Sequence, residues 1–561
     1  MALMDQRFIN RLGAKPPAAS KSIDFSFGNR HYIILLSFLI CAVSYWGLQK
    51  DIIGTYHDDG IYVVTAKSLS EGNGYRIISL PGSPPQTKYP ILYSYIVSWV
   101  WSLSPAFPKN IALLKSVNII FLFFIVFTAY RFYCTAVAEG EVDGYVYAAL
   151  VGANPGIFSF AEFAVSDLLF VLVVVLTCWL YGSRDSAWFQ GWKAGILALI
   201  CVVALLTRSA GIPLAVAGTI HFLWMRRFRE LAIYGITLVL AIMPWIGWRV
   251  GNAVPVAPSS LLAYYLQYDV HNTAFYLMLS SPIKSGEMLW ANCRYLLDSL
   301  DVIWLLPVFP QLRLKLFALS LLAVGAYCSI GKHSLFLTTF FAFYLLLILG
   351  WPFSPIRYVL PVLPLLLLFV FRGIHALENT IRQIWRGTEK LPLSVLVRVP
   401  VYLIVCLNIA WLVSTVQPSN DRWVRGAFGQ RLDYSWSGFL ETFEWIRTHT
   451  QKGDVLATAY DPMYYLYTGR RAIMPTYQKS ETYFYPYERA NPDVGSVEEI
   501  KREFRLHDVR YLITNPLDQF REGKAVEKVI AALLASYPTR PQLAFASRDG
   551  RHRVYKIPQA G

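Results

Sequence analysis

The sequence predicts a polytopic α-helical membrane protein that ends in a small α/β domain, and three observations predict it. Of 561 residues, 55% are hydrophobic and only 16% charged, with a mean hydropathy of +0.40, whereas a soluble chain carries about 25% charged residues. The apolar residues come in blocks long enough to approach a membrane span. Beyond about residue 417 the blocks stop, and charged helix and strand patterns alternate.

The elements follow in order. Residues 1–30 are polar and basic, with Arg7, Arg11, Lys15, Lys21 and Arg30. An apolar run at 32–48 follows without a small-residue cleavage site, so it reads as an uncleaved first helix behind a cytoplasmic tail. Further apolar candidates are 90–104, 111–133, 145–162, 167–181, 194–207, 210–225, 231–249, 314–330, 334–350, 356–371 and 397–416. Two loops are strongly basic: Arg226, Arg227 and Arg229 in one, Arg372, Arg382, Arg386, Lys390 and Arg398 in the other. Basic loops face the cytoplasm. Both do so only if one early segment does not cross. Residues 90–104 are the candidate, since they are short, begin at Pro90 and carry Tyr93, Tyr95, Trp99 and Trp101. Such aromatics suit a helix lying in the interface. The expectation is therefore about eleven transmembrane helices. They occupy residues 31–416, with a large first outer loop at 49–110 and an extracytoplasmic α/β domain at 417–561.

In that domain, 438–450 reads as an amphipathic helix, 454–459 as a strand, 496–506 as a helix, 509–514 as a buried strand, 525–536 as a helix and 553–556 as a last strand. A Tyr-rich turn precedes Gly469, and 480–497 reads as a flap.

The net charge of +15 fits loops facing anionic lipid rather than nucleic acid, because no basic patch with interleaved aromatics and no zinc-finger spacing occurs. Seven scattered cysteines, none after Cys406, give the tail no disulfide framework.

Candidate chemistry gathers at one boundary. Asp58 and Asp59 lie just outside the first span, and Glu162 and Asp167 bracket the mouth of a later one. A carboxylate at a membrane boundary is costly unless solvated or paired, so it is a functional candidate. The same parity puts Lys88, Arg208 and Arg357 on that face. If a lipid-linked sugar phosphate sits there, its leaving group is already a stable anion. It needs cations near the phosphate and a base near the attacking hydroxyl. Asp58 is the candidate base. Asp59 or Asp167 would orient the acceptor or hold a divalent metal such as Mg or Mn, with Glu162 in support. Lys88, Arg208 and Arg357 are candidate phosphate partners.

The stretch His57-Asp58-Asp59-Gly60-Ile61-Tyr62, followed by Ala66 and Leu69, resembles the first-outer-loop signature of the C-type (GT-C) glycosyltransferases. These include the protein O-mannosyltransferases and the aminoarabinose transferases of lipid A. Lys88-Tyr89-Pro90 is similar to the element that closes that loop, and Ser166-Asp167-Leu168 to the second acidic site. Thr207-Arg208, and Arg357-Tyr358 followed by Pro361 and Pro364, resemble later segments. The chain departs from the pattern at Asp59, where relatives often carry Glu, and at Thr87, where the aminoarabinose enzymes have an acidic residue. The resemblance implies a GT-C fold and a polyprenyl-phosphate sugar donor. It implies an inverting transfer with Asp58 as the catalytic residue, onto a lipid, glycan or protein acceptor. It also implies a place in a plasma (bacterial inner) membrane with the chemistry outside, and it puts Tyr358 beside Arg357 at the donor phosphate.

Plainer readings stand beside these. Asp58 and Asp167 are good helix starters, Lys88 could snorkel at the interface, and Arg208 could anchor a helix end. A transporter or flippase of lipid-linked sugars is the alternative function, but it would place polar residues mid-span in two related halves. A scaffold would not need carboxylates and cations on one face.

Overall fold

Apolar helices dominate residues 30–384 of the computed structural model. It describes residues 30–137, 141–182, 191–257, 260–266, 282–298, 312–329, 335–351, 356–384, 399, 402–407, 409–410, 423–425, 431–476, 495–516 and 524–558. In chain order the helices are α1 (Arg30–Trp46), α2 (Asp58–Ser70), α3 (Leu92–Leu103), α4 (Ile111–Val137), α5 (Glu141–Gly152), α6 (Pro155–Ser159), α7 (Asp167–Gly182) and α8 (Lys193–Thr207). They continue with α9 (Ile212–Trp224), α10 (Phe228–Gly251), α11 (Ala263–Leu266), α12 (Pro282–Asp298), α13 (Leu312–Ser329), α14 (Leu335–Leu349), α15 (Ile356–Val359) and α16 (Leu363–Ile384). The expected cytoplasmic tail up to residue 29, the basic loop beyond Ile384, most of the span at 397–416 and residues 480–494 of the expected flap lie outside the described residues.

Among the described residues, three helical segments are long and apolar enough to cross a membrane: Ile111–Val137, Phe228–Gly251 and Arg357–Ile381. Six shorter apolar helices accompany them among the described residues. The span expected at 145–162 is not one helix. It breaks at Asn154-Pro155, because proline has no N–H to continue the ladder. Asn154 then caps the next turn, its Oδ1 accepting from Gly156 N at 2.9 Å. Along α10 the side chains of Ile236, Leu240, Met243 and Val250 are all more than half exposed. Water penalises such a stripe and lipid covers it. The helix expected at the interface is α3: it buries Tyr93, Val97 and Trp101 and exposes Tyr95, Trp99 and Leu103.

The tail opens on a hairpin of β1 (Trp423–Arg425) and β2 (Arg431–Ser435), then α17 (Trp436–His449), β3 (Val455–Ala457), α18 (Asp461–Thr468), β4 (Ala472–Ile473) and α19 (Val497–Leu506). It closes with β5 (Val509–Thr514), α20 (Lys524–Ala535), β6 (Gln542–Ala546) and β7 (Arg553–Lys556). The sheet order is β4-β3-β5-β7-β6. β3 runs parallel to β4 and β5, while β7 runs antiparallel to β5 and β6. The expected Tyr-rich turn is a helix, α18. Its punctuation is in the sequence: Pro462 in the first turn and Gly469 in the left-handed conformation after the last.

Strand alternation splits the sheet's contacts between two cores. Leu456 and Ile513 face Phe439 and Phe443 of α17. Val455, Ala457 and Leu512 face Ile500 and Phe504 of α19 together with Ile61 and Val64 of α2. The other side of α2 sends Tyr62, Val63 and Ala66 into the large apolar core of the bundle. The sheet edge is met by the segment that follows α2, with Ala472 N donating to Ser79 O at 2.9 Å. Thus α2 is wedged between bundle and tail domain, and its first turn carries Asp58.

Candidate functional site

The turn before α2 is built from unusual backbone. Gly54 has φ +90°, and His57, a non-glycine, has φ +65°. Asp59 holds this turn: its Oδ2 accepts from Gly54 N at 2.8 Å and its Oδ1 from Gly60 N at 2.9 Å. Successive helical residues point about 100° apart, so Asp59 turns inward to full burial while Asp58 faces the bundle. Burial raises the Asp59 carboxyl to about 6, against the two amide bonds and the charge of Lys115.

Asp58 accepts from Tyr89 Oη on one oxygen, at 2.9 Å, and from Arg357 Nη1 on the other, at 2.7 Å. Burial and the Asp58 charge push the Tyr89 phenol well above its ordinary value, so it remains the donor.

Asp167 stands in the first turn of α7, where the helix dipole favours an anion. The loop leading to it is fixed by buried Asn118, whose Nδ2 lies within 2.5–3.3 Å of the carbonyls of Phe160, Phe163 and Val165. Ser166 Oγ and Tyr62 Oη share a 2.7 Å hydrogen bond that ties α7 to α2. Arg357 reaches Asp167 as a fork, Nε to Oδ1 and Nη2 to Oδ2. Arg208, just past the C-terminal end of α8, adds Nη1 at 2.9 Å from Asp167 Oδ2.

The result is a chain of alternating charge, Asp58–Arg357–Asp167–Arg208, whose two anions balance two cations. Aromatic faces line it. The Arg357 guanidinium lies 5.0 Å from the Tyr56 ring centre and 5.6 Å from that of Phe160. Arg208 lies 5.4 Å from that of Tyr358. Removing one member of such a shielded network would strand its partner's charge.

Of the residues singled out from sequence, the structure brings Asp58, Asp167, Arg208, Arg357 and Tyr358 together. Lys88 sits one residue from Tyr89; its Nζ donates to Tyr264 O at 2.5 Å and lies 3.7 Å from the Tyr264 ring centre. Glu162 is half-buried at the end of the 3-10 turn Phe160–Glu162, beside the loop that Asn118 holds. Asp59 is not part of the charged chain. The expected divalent metal, Mg or Mn, finds no ligand set at Asp59 or Asp167. The Asp59 oxygens are committed to backbone amides and both Asp167 oxygens to guanidiniums. Among the described residues no group of three His, Cys, Asp or Glu side chains gathers as metal ligands.

Sequence reasoning missed Tyr89, Tyr62 and Ser166 as site partners, although each lies inside a recognised motif. It also missed Tyr265 and Asp461. His57 Nε2 lies 3.1 Å from Tyr265 Oη and 3.2 Å from Asp461 Oδ1, and Tyr265 Oη donates to the same Asp461 oxygen.

No protein-family description and no curated protein matches this sequence. Solved structures do. The fold is similar to that of ArnT from Cupriavidus metallidurans bound to undecaprenyl phosphate, with a TM-score of 0.54 at 13% identity over 95% of this chain and 100% of that one. It is also similar to the Archaeoglobus fulgidus oligosaccharyltransferase tethered to an acceptor peptide containing the NVT sequon. There the TM-score is 0.52 at 10% identity, over 87% of this chain and 69% of that one. At such identities the likeness establishes the fold, and the chain has the GT-C fold expected from its motifs.

Proposed function

We propose that this chain is a membrane glycosyltransferase that moves a sugar from a polyprenyl-phosphate donor to a hydroxyl of a lipid, glycan or protein acceptor. The observation that carries the reading is the charged chain Asp58–Arg357–Asp167–Arg208, assembled from four separate segments where the apolar bundle meets the tail domain. The structural neighbours are consistent with it, one solved with undecaprenyl phosphate and one with an acceptor peptide.

In this reading the acceptor hydroxyl attacks the anomeric carbon. The bond from that carbon to the phosphate oxygen breaks, and the polyprenyl phosphate leaves with the electron pair. The hydroxyl proton passes to Asp58, and the anomeric centre inverts. Tyr89 and Arg357 hold the Asp58 carboxylate in one orientation. Arg357 and Arg208 also supply positive charge beside the departing phosphate, Tyr358 backs Arg208, and Lys88 approaches the phosphate from the first outer loop as a point charge. Asp167 keeps both guanidiniums in place, with Glu162 on the loop that leads to it, and Asp59 shapes the turn that carries Asp58. The tail domain and residues 49–110 would then lie outside the membrane and the N-terminus inside.

The test is a deletion strain analysed for a sugar missing from envelope lipid, glycan or protein. The wild-type gene should restore it, and a variant with Asp58→Asn should not. Loss of export of a lipid-linked sugar, with transfer intact in broken membranes, would favour the flippase reading instead. A cysteine introduced at Lys452 should react with an impermeant reagent in intact cells; labelling only after lysis would reverse the orientation.

A further inference from the structure

We propose that His57, Asp461 and Tyr265 form a clamp by which the tail domain positions the Asp58 turn, making His57 and Asp461 positioning residues for transfer. The inference rests on the reading of Asp58 as the base.

Three successive residues at the start of α18 touch the turn at three points. Asp461 meets His57 through Oδ1 and Nε2 at 3.2 Å. Beside it, a Cβ built on Gly60 would stand 2.8 Å from Pro462 Cβ, and one built on Gly54 would stand 2.6 Å from Met463 Cβ. No side chain fits at either glycine, so the backbone on each flank of Asp58 is pressed against the tail domain. Tyr265, from the segment following α10, completes the junction.

All three polar groups are buried, with Asp461 and Tyr265 fully so. Desolvating them is unfavourable unless they bond one another, and a carboxylate that can only accept fixes His57 Nε2 as a donor. His57 also holds a positive-φ backbone (φ +65°, ψ −58°) that non-glycine residues seldom adopt, a γ-turn closed by Asp58 N donating to Tyr56 O at 2.8 Å. Such a conformation persists where surrounding contacts over-determine it, and it recurs at functional sites. The peptide held this way runs directly into Asp58. Packing alone would be served by apolar side chains; a directional bond to the residue before the base serves aim.

The experiment uses the full chain in lipid nanodiscs. Hydrogen exchange is read over residues 54–62 for the wild type, His57→Ala, His57→Gln, Asp461→Ala and Tyr265→Phe. Binding of undecaprenyl phosphate is followed by tryptophan fluorescence, and transfer is scored as restored envelope sugar in the deletion strain. His57→Ala and Asp461→Ala should speed exchange over 54–62 and lower transfer about tenfold to a hundredfold, as misplacement of a reacting group does. Undecaprenyl phosphate binding should stay within about twofold. His57→Gln, which keeps a donor at similar reach, should recover most of the transfer. Tyr265→Phe removes one hydroxyl without emptying the site, and it should show a milder form of the same pattern even if the alanine variants fold poorly. Unchanged exchange over 54–62 in the variants, or a loosened turn with full transfer, would overturn the clamp. Asp58→Asn separates the two readings. If it stays active while Asp461→Ala loosens the turn, the assignment of Asp58 fails and the contact stands. If it is inactive while the clamp variants behave as wild type, the clamp fails alone.

Discussion

Arg357 grips Asp167 through two parallel hydrogen bonds, Nε to Oδ1 at 2.8 Å and Nη2 to Oδ2 at 2.7 Å, across 190 residues of sequence. That geometry belongs to a guanidinium; an ammonium cannot reproduce it. The third nitrogen of the same group is thereby aimed at Asp58. Arg357→Lys is accordingly expected to cost about 1–3 kcal/mol of stability and to lower transfer sharply. A double-mutant cycle of Arg357→Ala with Asp167→Ala should give a coupling of about 0.5–3 kcal/mol. Additive losses in thermal melts would contradict the fork.

Asp58→Asn should silence transfer while the protein remains folded and inserted. The amide still accepts from Tyr89 but cannot take a proton, a loss of about 10²–10⁴-fold for a general base. Turnover of sugar from a polyprenyl phosphate, beside a melt, is the measurement. Activity above about a tenth of wild type would move the base elsewhere.

Asp59 should report on pH through stability rather than transfer. Its carboxyl is raised to about 6 from 3.8, so the folded state binds the proton more tightly than the unfolded one. The favourable contribution is whole below pH 4 and is lost as pH rises through about 6, a change of about 3 kcal/mol. Asp59→Asn cannot titrate and should flatten that slope in protection factors over 54–60, exchange being corrected for the intrinsic rate at each pH. A slope identical to wild type would show that another group carries it.

His552 should act with the opposite sign in the tail domain. Its ring is buried edge-on to Phe439, and burial lowers its pKa to about 4 from 6.5, outweighing Asp549 and Glu441. The folded state therefore prefers the neutral ring. Its contribution is whole above pH 6.5 and is lost as pH falls toward 4. Protection factors across β5 and β7, exchange corrected for the intrinsic rate at each pH, should fall on acidification, and His552→Phe should remove that response. In the same pocket a Cβ on Gly438 would stand 2.4 Å from His552 Cδ2. Gly438→Ala should thus destabilise the domain by about 1–3 kcal/mol through overpacking.

Much of this was legible in the residues. Strands at 509–514 and 553–556 and the helix at 496–506 emerged almost to the residue, because apolar alternation and the capping box from Ser496 to Glu499 are local signals. Asp58, Asp167, Arg208 and Arg357 were legible as a set, since carboxylates and guanidiniums at the ends of apolar runs are conspicuous. Their pairing was not: that Arg357 joins both aspartates depends on helix packing, which no local pattern encodes. That Asp59 lies outside the charged chain was not legible, because it adjoins Asp58 in sequence and shares its residue type, and only the helical turn sends one inward. Asp461 gave no signal, being an aspartate before a proline in what read as a turn. The break at Asn154-Pro155 was visible as a dipeptide but hidden by the apolar residues around it.

The close fit of α18 against Gly54 and Gly60 also imposes an order in time. His57 is made 404 residues before Asp461, which at about 5–20 residues per second is roughly 20–80 seconds of synthesis. Throughout that interval the apolar helices can enter the bilayer, while the turn bearing Asp58 still lacks the wall that α18 provides. A nascent chain halted before residue 461 would thus hold its helical bundle with the Asp58 turn unsupported. Completion of the tail, rather than entry into the bilayer, is what closes the turn that carries Asp58.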